Sequence, residues 1–163
     1  MRNQNVRNKQ KGFSLIELLI VVAIILIIAA IAIPNLLRSK MAANEASAVG
    51  SLRTLNTSAV EYSTEYGGYP STLASIGPIA AGGTASSTLA DMIDSVLATG
   101  TKSGYSFTWT AGTVSNGNYL NYSITAQPTS PGVTGQRYFY TDQSGVIRGA
   151  QGAAATAAST PLS

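Results

Sequence analysis

The sequence predicts an α+β protein in which a long N-terminal helical spine, partly transmembrane, packs against a small antiparallel sheet. Three observations carry this expectation. A 21-residue run from Phe13 to Ile33, FSLIELLIVVAIILIIAAIAI, has Ser14 and Glu17 as its only polar members. Helical spacing of apolar residues continues beyond it to Tyr66, and after Tyr105 the apolar period falls to two. The 163 residues are enough for one compact domain.

Residues 1–12 form a basic leader: Arg2, Arg7, Lys9 and Lys11 lie in a stretch without an acid. The segment that follows, residues 13–34, is about 33 Å long as a helix, enough to cross the hydrocarbon core of a bilayer. By the positive-inside rule the leader stays in the cytoplasm. Three readings compete for this region. A cleaved secretory signal would use Ala30-Ile31-Ala32 as its small-x-small site, releasing a secreted binding module after Ala32. Its apolar stretch exceeds the usual span of about 7–15 residues, and Glu17 lies inside it. A plain membrane anchor places a carboxylate at a cost of about 2.5–3.5 kcal/mol on insertion scales, which Glu17 would reduce by reaching partly to the interface from near the helix start.

The third reading accounts for more residues. Lys11-Gly12-Phe13-Ser14-Leu15-Ile16-Glu17 resembles the class III signal of type IV prepilins and pseudopilins. The resemblance implies the pilin fold, cleavage after Gly12 by a membrane-embedded aspartyl protease, and N-methylation of the new terminal residue, Phe13. It implies that Glu17 neutralises the terminal ammonium of a neighbouring subunit while the apolar helices pack into a filament core. A carboxylate is tolerable in an apolar bundle when paired, and removing one partner strands the other. The implied partners are further copies of the same chain, the prepilin peptidase and assembly machinery, and the inner membrane before assembly. The resemblance allows two destinations, an extracellular type IV pilus or the periplasmic pseudopilus of type II secretion.

Pro34 follows the apolar run, and a proline lacks an amide donor and clashes with the preceding turn. A kink or locally melted point is expected at Ile33–Asn35. Filament structures of the resembled family extend the backbone around the equivalent proline, which would place the melted segment at Ile28–Pro34. Beyond it, Met41, Ala48, Leu52, Leu55, Ala59, Tyr62 and Tyr66 recur at threes, fours and sevens, so an amphipathic helix is expected over 35–66. Gly67-Gly68-Tyr69-Pro70 ends it.

The head, residues 35–163, is expected to continue with a loop and a flexible turn at 80–87. A short amphipathic helix follows over 88–98, capped by Thr88 and Asp91 and stopped by Gly100. Asp91 and Asp94 then complement its first turn. Strict alternation places Tyr105, Phe107 and Trp109 on one face of a strand. Asn116-Gly117 marks a hairpin, and Leu120, Tyr122 and Ile124 alternate after it. Further strands follow a Pro/Gly loop, giving three or four antiparallel strands over about 105–148. Residues 150–163 carry no charge and few large apolar groups, so a flexible tail is expected. The stretch from Tyr138 to Arg148 resembles the close of cysteine-free pilin-like proteins, unlike type IVa pilins that staple this region with a disulfide.

With no His and no Cys, zinc sites, thiolate nucleophiles and Ser-His-Asp triads are excluded, and the seven acids are scattered. An enzyme is not expected, nor a cofactor or metal. Asp142 reads as an Asx-turn residue, because a calcium site needs several clustered oxygen ligands. The net charge of +3 invites a nucleic-acid reading, but removing the leader leaves six basic against seven acidic side chains. The basic excess is a topology signal, and a nucleic-acid partner is not supported.

Overall fold

A computed structural model describes residues 12–162, and the leader positions Arg2, Arg7, Lys9 and Lys11 lie outside them. The boundary between two compact units falls between Leu37 and Arg38. One helix, α1 (Leu15–Tyr66), crosses that boundary, followed by a 3-10 turn (Leu73–Ile76) and a one-turn helix α2 (Ser95–Ala98). The strands are β1 (Thr101–Lys102), β2 (Tyr105–Ala111), β3 (Val114–Ser115), β4 (Asn118–Tyr119), β5 (Tyr122–Pro128), β6 (Arg137–Asp142), β7 (Arg148–Gln151) and β8 (Thr160–Pro161). Six of them form an antiparallel sheet in the order β1-β2-β5-β6-β7-β8, and β3-β4 is a separate ribbon.

Helical spacing in α1 selects the face that meets the sheet. Ala48, Leu52, Leu55, Ala59 and Tyr62 are buried in one cluster with Tyr105 and Phe107 of β2, Tyr122 and Ile124 of β5, and Phe139 of β6. The register puts Trp109 opposite Ile124 and Phe139 opposite Ala126, so alternate residues of three strands share the core face. Asn56 ties helix to sheet through polar groups. Its amide nitrogen donates to the buried Thr141 hydroxyl at 2.9 Å, and its oxygen accepts from Tyr122 at 3.1 Å. The Trp109 ring stacks on Tyr122 at 4.6 Å between centroids while its N–H donates to the Pro70 carbonyl.

Several expected boundaries stand. Gly67 ends α1 in the left-handed region, with its amide on the Ser63 carbonyl. Asn116 and Gly117 both take positive φ, as a type I′ hairpin turn requires. Gly100 stops α2 at φ 79°. The sheet has six strands rather than three or four, because the short β1 and β8 extend its edges.

Three expectations are corrected. The helix over 88–98 contracts to Ser95–Ala98 with Asp94 as its cap. The amides of Ala90, Asp91, Met92 and Ile93 are taken by the carbonyls of Ser75, Gly77 and Ile76, which holds that stretch in irregular backbone against the 3-10 turn. Thr88 pairs with the Ser86 hydroxyl, and Asp91 has φ 57°, so neither serves a helix cap. The tail is not free: β7 and β8 pair, the Leu162 amide donates to the Ile147 carbonyl, and Arg148 reaches the Ser159 carbonyl. Lastly, α1 passes through Pro34 without a break. The proline leaves the Ala30 carbonyl without a helical donor, but the ladder on both sides holds the helix through one missing bond.

Candidate functional site: the N-terminal segment

Gly12, Phe13 and Ser14 precede α1 in irregular, exposed backbone. Nothing crowds Gly12 within 4 Å of where a Cβ would stand, and Phe13 is 90 % exposed. The Gly12–Phe13 peptide bond therefore lies outside regular secondary structure and is uncrowded by the other described residues.

The next four residues form a reciprocal cap. Glu17 Oε2 accepts from the Ser14 amide at 2.9 Å, and the Ser14 hydroxyl accepts from the Ile16 amide at 3.4 Å. This is the capping-box arrangement, with a carboxylate in the first turn where the helix dipole favours negative charge. Its sequence signal is Ser14-x-x-Glu17 immediately before an apolar run, which the sequence reading passed over while proposing the weaker Thr88–Asp91 pair. The cap gives Glu17 a partner inside its own helix.

From Leu15 to Leu37 the helix is apolar on every side and carries no charge except Glu17. None of these residues is buried, with Leu15 79 % and Ile31 65 % exposed. The helix is long and apolar enough to cross a membrane. A helix apolar all round has only two stable surroundings, lipid or other apolar helices. Gly12, Phe13 and Glu17 are thus brought together at its N-terminus, and Pro34 lies far along the same helix, apart from them.

Glu45 is a second residue the sequence reading missed. Its Oε1 accepts from the Gln136 amide at 2.9 Å and the Arg137 amide at 3.2 Å, fastening α1 to the start of β6. No local pattern signals this, since the partners lie about 90 positions downstream. Asp142 behaves as an Asx turn, with Oδ1 accepting from the Ser144 amide at 2.9 Å. Burial opposes its ionisation, but hydrogen bonds from Ser144 and Tyr140 and the Arg148 charge hold its carboxyl below the usual value. Among the described residues no three His, Cys, Asp or Glu side chains cluster in a way that could hold a metal.

Comparison with known proteins bears on the same segment. The family described as the prokaryotic N-terminal methylation motif matches residues 7–33. The chain is 42 % identical over 65 residues to a type IV major pilin protein of Myxococcus xanthus, covering 40 % of this chain and 30 % of that one. It is 66 % identical over 35 residues to a type IV wide pilus major component of Thermus thermophilus, covering 22 % and 27 %. It is 34 % identical over 65 residues to type II secretion system core protein G of Escherichia coli, covering 40 % and 45 %. The match spans less than half the length of each of these relatives. No solved structure gives a significant match.

Proposed function

We propose that this member of the type IV pilin and pseudopilin family is a structural subunit of a type IV pilus, stored in the inner membrane and assembled by helix packing. The observation that supports this reading most directly is an exposed apolar helix whose only carboxylate, Glu17, lies one turn from an open Gly12–Phe13 bond. Cleavage after Gly12 leaves Phe13 with a cationic amine, the substrate for N-methylation. Before assembly the Ser14 amide satisfies Glu17. In the filament the ammonium of a neighbour's Phe13 replaces that neutral donor with a charged one, so that both partners of the hydrogen bond are ionised. The apolar helices then cover one another instead of lipid, with Pro34 as the point where the ladder, already missing one bond, opens most readily.

Mass spectrometry of the purified protein is expected to show a methylated Phe13 terminus. An Ile33 terminus would instead identify a secreted module cleaved after Ala32. Glu17→Ala is expected to permit cleavage and to abolish stable filaments, and normal filament yield in that variant refutes the pairing role. The similarity to the secretion-system core protein G supports a second reading, a type II secretion pseudopilin. Deletion separates the two: loss of surface filaments supports the pilus, and loss of protein export supports the pseudopilus.

A further inference from the structure

Two parts of the Arg38–Ser163 unit are each unsatisfied within one chain and complement each other between chains. The first is an open groove along α1. Arg38, Met41, Ala42 and Gln136 line a cleft of about 420 Å³ that continues past Ala46 and Val49 towards Arg53 and Arg137. The one carboxylate in the groove, Glu45, is already held by two backbone amides. Three guanidinium groups therefore dominate its field. Arg137 stacks over the Phe139 ring, and the only side-chain ion pair among the described residues is the distant Lys102–Asp94.

The second part is the C-terminal end of the same helix. Glu61 and Glu65 are exposed, four residues apart, and the last turn carries no basic residue. Like charges at this spacing destabilise a helix, and its C-terminus favours cations over anions. Both local effects are adverse, and among the described residues no salt bridge offsets them.

We infer that the Arg38 end of the groove takes the C-terminal end of α1 from a second copy of this chain, with Glu65 of one subunit on Arg38 of the next. The inference rests on the assembly reading above and adds a register to it. Arg38 and Glu65 are 27 residues apart on α1, which is about 40 Å of rise and about seven and a half turns, so they project from opposite sides. Glu61 stands about 35 Å from Arg38 along the axis. Two parallel copies lying side by side, displaced axially by about 40 Å, set Glu65 of one level with Arg38 at the near end of the other's groove. Such a contact joins two different patches and does not close on itself, so it propagates as a filament.

The test is a charge exchange read in sheared filaments. Arg38→Glu and Glu65→Arg each place like charges at every contact and are expected to lower filament yield about tenfold or more. The double exchange Arg38→Glu/Glu65→Arg is expected to return to within about threefold of the natural chain. A double exchange as poor as the worse single variant overturns the pairing. Because the chain has no cysteine, oxidised filaments of Arg38→Cys/Glu65→Cys are expected to give a ladder of covalent multimers, absent from either single variant. Intact double-cysteine filaments that yield only monomers also overturn it. A natural chain that keeps its leader and sheds no filament refutes the assembly reading itself, and this contact with it.

Discussion

The two halves of α1 treat their apolar side chains in opposite ways. Beyond Arg38, Leu52 and Leu55 are wholly buried against Ile124 and Phe139, and no buried side-chain nitrogen or oxygen among the described residues lacks a partner. Before it, from Phe13 to Leu37, no residue is buried. Burying one Leu or Ile side chain stabilises by about 1.5–3 kcal/mol, so the first half holds a large unrealised term that the second half has already used in folding. The head is stable by itself in principle, and the apolar segment is stable only in the company of lipid or of its own copies. That asymmetry fits the proposed assembly role, in which the apolar segment is covered while the core of the head is left as it is.

The largest effect follows from separating the halves. A chain beginning at Arg38 is expected to be monomeric in water without detergent and to unfold cooperatively, whereas the intact chain partitions into membranes. Sedimentation and thermal denaturation check this, and a truncated chain that aggregates shows that the head depends on the apolar segment. A matched pair of substitutions sharpens the same contrast. Phe139→Ala should destabilise the head by about 3–5 kcal/mol in denaturant titration, through lost transfer energy and the cavity left in the core. Ile25→Ala removes a comparable apolar group from an exposed position and should leave the head midpoint unchanged within about 0.5 kcal/mol.

The same contrast explains what was legible in the sequence. The apolar run, the basic leader and Glu17 are contiguous, so spacing alone exposed them. The core positions Leu52, Leu55, Tyr105, Phe107 and Ile124 followed from periods of 3.6 and 2, which reflect burial directly. Long-range capture was what pattern reading could not see. Residues 90–93 have a helical apolar spacing, yet their amides go to carbonyls of the 3-10 turn. The small residues near the C-terminus look structureless, yet Leu162 docks and its neighbours pair with β7. Glu45 reads as a solvated helix charge but caps two amides of a distant strand start. The Ser14–Glu17 box is local and its Ser-x-x-Glu spacing is legible in the sequence, so its physical signal is as direct as that of the apolar run.

Alkaline titration probes how tightly the head closes. Burial pushes the Tyr105 phenol up from 10.0 to about 12, with Glu45 adding to the shift and Arg137 opposing it. Burial also raises Tyr122, helped by Tyr69 and Asp142. Both groups bind their proton more firmly folded than unfolded. Their contribution is fully present below pH 10 and is lost as pH rises through the folded value, about 12 for Tyr105. Tyrosinate absorbance should show Tyr105 and Tyr122 ionising only as circular dichroism reports unfolding. A Tyr105 that ionises at pH 10 in a native spectrum would mean that the sheet opens locally around it.

The smallest effect concerns the exposed rim of the head, where burial contributes little and geometry decides. Lys102 reaches Asp94 Oδ2 at 2.9 Å, while Oδ1 of the same carboxylate caps α2 through the Leu97 amide at 2.9 Å. The Lys102 hydrogen bond and then the Leu97 amide hold the Asp94 carboxyl below its usual value. A depressed carboxyl contributes stability above its unfolded value, and that contribution fades as pH falls through the folded one. The two partners are separable by mutation. Lys102→Ala removes only an exposed ion pair and should cost about 0.2–1 kcal/mol, diminishing with salt. Asp94→Ala also removes the cap and should cost about 1 kcal/mol more, insensitive to salt. Equal losses in the two variants would assign the whole effect to the ion pair and show that α2 needs no cap, as a one-turn helix pinned by the buried Leu97 could manage.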